Sequence, residues 1–120
     1  MDPLFVGLLY AHGQDTLKRL LADMPRYDQL VAWAEQNVTD IEAEFSRFLA
    51  EYRKLEELGP ITTDDQALRH QCEKDVEDTR ATLSAMCTLR EKHRKTVVEN
   101  QRLLAYLADI LIGAPQGGLE

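Results

Sequence analysis

Hydrophobic residues recur along the first half of this chain at alternating steps of three and four. The series visits Val6, Tyr10, Gly13, Leu17, Leu20, Met24, Tyr27, Val31, Ala34, Val38, Ile41, Phe45, Phe48, Tyr52 and Leu55, and only Gly13 lacks an apolar or aromatic side chain. A stripe repeating every 3.5 residues keeps facing one neighbouring helix, which is the sequence condition for coiled-coil packing. The second half carries a matching series: Val76, Thr79, Leu83, Met86, Arg90, His93, Val97, Asn100, Leu104, Leu107 and Leu111. Arg90, His93 and Asn100 are polar members of that seam, and polar seam residues fix register and partner at some cost in stability.

Turn-forming residues divide the pattern. Segments run from about Pro3 to Ala22, from Pro25 to Leu58, and from about residue 63 to the Gly113 break. Gly59 supplies a C-terminal cap and Pro60 prevents continuation, with Lys54 placed to oppose the helix dipole. Thr63 and Gln66 match a capping box, and Asp64 and Asp65 sit in the first turn, where anions are favoured. The expected class is therefore all-α: a long antiparallel helical hairpin, coiled-coil-like, whose first arm continues through a kink at Pro25. The alternative folds residues 3–22 back to make a three-helix bundle. The heptad frame passes Pro25 without a skip, which favours the continuous arm. Residues 1–112 are read as one helical domain and 113–120 as a flexible tail, with Leu119-Glu120 resembling a cloning scar.

Composition narrows the function. The 120 residues are 44% hydrophobic and 29% charged, which describes a helix-rich globular chain rather than a disordered one. A net charge of −7 opposes binding to a phosphate backbone or an anionic bilayer. Nucleic acid is not an expected partner and membrane binding is disfavoured. Cys72 and Cys87 lie in one predicted helix, roughly 22 Å apart, too far for an intrachain disulfide. They read as reduced thiols, and the expected location is intracellular and reducing, in the cytoplasm. No signal peptide is apparent, and Asn37-Val38-Thr39 matches a glycosylation pattern inside a helix of a chain without an export signal.

No motif supports chemistry. His12, His70 and His93 are isolated, and His70-Gln71-Cys72 aims its two potential ligands to different sides of a helix. No CxxC, HxxxH or ExxH spacing is present, so neither metal nor cofactor is expected. Ser46 and Ser84 have no histidine–acid arrangement around them, and no Gly-rich phosphate loop occurs. The chain is not expected to be an enzyme.

What stands out instead is the apolar character of the two ends. Leu4 to Ala11 is apolar on every side, and a hairpin brings it towards the stretch from Leu103 to Ile112. Exposed apolar surface of that kind marks an interface. The expected interaction residues are Leu4, Phe5, Leu8, Leu9, Leu103, Leu104, Leu107, Ile110 and Leu111, with Trp33 as an outlying aromatic anchor. Arg90, Lys92, Arg94 and Lys95 form a basic island that reads either as a docking patch or as a solvated helix surface. The general character, a small acidic helical hairpin with apolar termini, resembles small coiled-coil subunits of multiprotein assemblies. The expected function is a protein–protein interaction module whose partner is protein, in a homodimer or hetero-oligomer joined through helices. The alternatives are a chaperone cradling an amphipathic helix and, less favoured, a membrane-peripheral protein anchored through residues 4–11.

Overall fold

The computed structural model describes residues 2–113, which form two antiparallel helices and, among the described residues, no strand. Helix α1 spans Pro3–Leu58 and α2 spans Thr63–Leu111, giving the all-α hairpin that the two seams predict. The three-helix alternative is excluded, because α1 is continuous across Pro25. A proline there removes one backbone donor, and the hydrogen bonds and packing on either side carry the helix past it. The tail from Ala114, including Pro115 and the Leu119-Glu120 pair, lies outside the described residues.

Local chemistry sets the helix ends. Asp2 caps α1: its carboxylate accepts from the Leu4 amide (2.9 Å) and its carbonyl from the Val6 amide (3.1 Å), with Pro3 at the first helical position. Gly59 ends α1 at φ +152°, a backbone state that side chains disfavour. The last turn of α1 contains no basic residue, and Lys54, expected to serve the dipole, pairs with Glu51 at 3.2 Å instead. The cap of α2 also differs from expectation by one residue. Thr62, rather than Thr63, receives the amide of Asp65 (3.1 Å) on its hydroxyl, and that hydroxyl donates to the Asp65 carboxylate (2.9 Å). An Asp three residues after the cap reaches back as a Gln at 66 would from Thr63, so the helix starts where expected by a neighbouring route. Gly113 closes α2 at φ +72°, donating its amide to the Ile110 carbonyl (3.1 Å).

The chain divides into two compact units, both traversed by α1 and α2. A terminal unit holds residues 1–27 and 89–120, and a turn unit holds residues 28–88. In the terminal unit, Val6, Gly13, His93, Val97, Leu104 and Leu107 are buried. In the turn unit, Val31, Ala34, Tyr52 and Val76 are buried. Every one of these lies on a predicted seam. Leu55 and Leu111, at the ends of the two series, are exposed. Two helices give each other one stripe of cover and no more.

Gly13 turns out to be a contact rather than a weak point. A Cβ on it would stand 2.7 Å from Leu104 Cδ2, so the leucine side chain occupies the space that a larger residue would fill. One turn earlier on α2, Asn100 Nδ2 donates to the Gly13 carbonyl (3.0 Å). Asn100 and Leu104, four residues apart, thus grip the same point of α1. In the turn unit Arg80 pairs with Glu42 across the helices (3.0 Å), and Arg69 stands over the Tyr52 ring at 5.0 Å. Both are exposed enough that the ion pair is worth no more than about 1 kcal/mol. Threonines within the helices, Thr16, Thr39, Thr79, Thr82, Thr88 and Thr96, donate their hydroxyls to the carbonyl four residues earlier, so these polar groups are satisfied locally.

Gly13→Leu should therefore cost about 1–3 kcal/mol by overpacking against Leu104, although leucine is the better helix former. Thr62→Ala should cost about 1 kcal/mol through loss of the cap. Urea titration followed by circular dichroism measures both, and a Gly13→Leu protein as stable as the parent would mean that the helices do not close there.

Candidate interaction surface

The phase of each side chain around its helix decides which apolar residues are core and which are surface. At about 100° per residue, Phe5 and Leu9 lie roughly 60–110° to one side of the α1 seam. On α2, Leu103, Tyr106 and Ile110 lie roughly 70–130° from their seam in the same rotational sense. For two antiparallel helices, equal-sense offsets fall on the same side of the pair. The turn unit displays this rule directly. Trp33 and Asn37 share a groove with Asp78 and Thr82, all offset in that sense, while Glu42 and Arg80, offset in the opposite sense, meet on the other side.

By this geometry Phe5, Leu9, Leu103, Tyr106 and Ile110 form one apolar face of the terminal unit. Phe5 is 54% exposed, Leu9 39%, and Leu103 and Tyr106 51% each, while Ile110 is half-buried. Leu104 and Leu107, expected at the interface, are only 9% and 4% exposed because they belong to the α2 seam and are covered by α1. They support the face from beneath and cannot present themselves to a partner. Leu4 and Leu8 are well exposed on the back of α1, and Leu111 is exposed at the end of the seam. Trp33 is exposed in the turn unit, in the shallow groove with Ala34, Asn37, Asp78, Thr79 and Thr82.

The basic island does not stand as a pure cationic patch. Arg90 is half-buried and Lys92, Arg94 and Lys95 are exposed, and Arg90 and Arg94 both have interaction partners. Arg94 and Lys95 share the outer surface of α2 with Arg102, and Glu91 and Glu99 are interleaved among them. Charge is instead separated between the units. The terminal unit contains eight Lys and Arg against seven Asp and Glu, a net +1, and the turn unit six against fourteen, a net −8. In the turn unit the Arg69 guanidinium is held above its ordinary range, first because its Nε donates to Glu73 (3.1 Å).

His93 is the one buried polar side chain among the described residues, 8% exposed on the seam. Its ring stacks on Tyr27 with centroids 4.4 Å apart and planes 25° apart, yet its buried Nε2 has no hydrogen-bond partner. A buried polar atom left unpaired costs about 1–3 kcal/mol. Sequence reasoning places His93 on the seam but gives no sign of the Tyr27 stack, because the cross-helix pairing depends on register.

Among the described residues no three His, Cys, Asp or Glu side chains are arranged to hold a metal ion, and Cys72 and Cys87 are free thiols. No described helix is long and apolar enough to cross a membrane. No protein family, no curated protein and no solved structure matches this chain.

Two contrasts test the assignment of core and face. His93→Leu should stabilise the fold by about 1 kcal/mol, since it removes an unpaired nitrogen and keeps an apolar seam. Thermal unfolding reads the effect, and a clear loss of stability would show that Nε2 is satisfied in solution. Leu104→Glu should abolish most helical signal by burying a carboxylate in the seam, whereas Leu103→Glu should leave it nearly intact. Far-ultraviolet circular dichroism distinguishes them, and equal effects from neighbouring positions would refute the phase argument.

Proposed function

We propose that this protein is a non-enzymatic interaction module: a helical hairpin that joins other helices through the apolar face of its terminal unit. What supports the reading is the exposure of Phe5, Leu9, Leu103 and Tyr106, off-seam side chains that helical phase sets on one side of the pair with Ile110. Those side chains lie beside the two-helix core and are only partly covered by it. Their burial is worth about 25 cal/mol per Å², so water-exposed they represent a large unrealised gain. Contiguous apolar surface above a polar flank is the usual mark of a docking site.

Assembly as a scaffold or adaptor subunit fits such a face with a fixed partner. The chaperone reading, in which the same face receives a variety of amphipathic helices, draws on the same residues and differs in the number of partners. A photoreactive phenylalanine analogue placed at position 103, with position 57 in the turn unit as control, separates these in the cell that makes the protein. The module reading expects one or a few discrete adducts from 103 and none from 57. A continuous ladder of adducts would favour the chaperone, and no adduct from 103 would remove the reading.

A further inference from the structure

We infer that the turn unit carries a docking surface of its own, an acidic groove with an aromatic floor on one side of the helix pair, and that its occupant is a basic amphipathic helix of a partner protein. Every residue that forms the groove belongs to the turn unit, and the inference does not rest on the apolar face of the terminal unit.

The groove has two consecutive stretches. Trp33, Asn37, Asp78 and Thr82 wall the first, over Ala34 and Thr79. Glu44 and Asp75 wall the second, over Ile41, Phe45 and Phe48. Glu44 and Asp75 are offset from their seams by roughly 80° in the same sense as Trp33 and Asp78, so both stretches open on one side of the pair. From Trp33 to Phe48 the run is about 22 Å, the length of a four-turn helix laid alongside.

Charge says what fits there. Glu44, Asp75 and Asp78 line the two stretches, and no Lys, Arg or His does. The cations of the turn unit are committed elsewhere: Arg80 pairs with Glu42 on the opposite side, Arg69 with Glu73 and Lys54 with Glu51. Asp75 is half-buried and accepts from the neutral amide of Gln71 at 2.8 Å, which brings no countercharge. These carboxylates stand in a unit of net −8, where each raises the cost of the others. Lys or Arg side chains from a partner supply the missing charge. The groove on the other side already holds its own arginine, Arg80, and has no such preference.

The apolar part selects an amphipathic helix over a free cation. Trp33 is 56% exposed, and an indole beside a carboxylate attracts a guanidinium while offering apolar area to a neighbour. Phe45 and Phe48, edge to face with centroids 6.4 Å apart, are half-buried in the floor of the second stretch. A helix with apolar residues three and four apart covers these rings, and its flanking Lys and Arg reach the carboxylates on the walls.

Trp33 is the only tryptophan of the chain, so its fluorescence reads this groove and not the terminal unit. The probe is a synthetic helical peptide of about fifteen residues, with leucines at three- and four-residue spacing flanked by lysine and arginine. A second peptide carries glutamate at each basic position. Titrating the full chain with the basic peptide should shift the Trp33 emission to shorter wavelength and saturate, and added salt should weaken the effect. The acidic peptide should leave the emission unchanged. Glu44→Gln combined with Asp78→Asn should weaken binding about fivefold or more, with helicity unchanged. The same loss of two charges outside the groove, Glu56→Gln combined with Glu57→Gln, should change it by less than about twofold. No shift with the basic peptide would overturn the inference, as would equal binding of the two peptides. Equal weakening by the two paired variants would overturn it as well, because binding would then follow the charge of the whole unit and not the groove.

Discussion

Each helix of this protein has one neighbour, and that single constraint organises the rest. A helix against one other helix can bury one stripe, about a third of its circumference, and the remainder must face water. The buried residues obey this strictly: in both units they all fall on the two seams. A protein with this few buried side chains has little stability in reserve, so small devices matter. Asp2, Thr62, Gly59 and Gly113 hold the helix ends.

The same constraint explains why the apolar residues outside the seams carry the functional argument. In a thick bundle, a leucine off the main stripe still finds cover from a third helix. Here Leu103 and Tyr106 are left half exposed, at 51% each. The turn unit meets the problem differently. Its off-seam positions hold fourteen of the chain's twenty-one acids, with Glu42, Glu73, Glu77 and Arg80 around one groove. Two stretches of the same helix pair have therefore been given opposite surfaces, one that seeks cover and one that repels its like.

Much of the fold is legible in the sequence because coiled-coil packing writes itself as a period. The unbroken frame through Pro25 foretells a continuous first arm, and both seams match the burial along their length. What the period does not carry is contact between particular side chains. Gly13 reads as a flaw until Asn100 and Leu104 are seen to close on it. Thr62 and Thr63 are equivalent by composition, and only the reach of the Asp65 carboxylate separates them. The apolar surface is less legible still. A cluster of leucines near one end does not distinguish Leu103 from Leu104, although one residue turns the side chain by about 100° from water into the seam. Phase, added to spacing, separates Phe5, Leu9, Leu103, Tyr106 and Ile110 from the core leucines. Lys54 illustrates the reverse case: a plausible role near a helix end gave way to a nearer acid.

A heptad ladder has an approximate translational symmetry. Slide one helix past the other by seven residues and one seam again meets the other, so the hydrophobic effect alone separates the alignments weakly. The Gly13–Asn100–Leu104 contact breaks that degeneracy. Only one offset sets the side chain of Leu104 over the missing Cβ while giving the Asn100 amide a carbonyl with a spare lone pair. A different offset would lose the fit of the Leu104 side chain into the gap at Gly13. The grip converts a repeating pattern into a single address, as a vernier mark does on a ruled scale. It also ties the register of the terminal unit, together with the Tyr27–His93 stack, to one glycine that has no side chain at all.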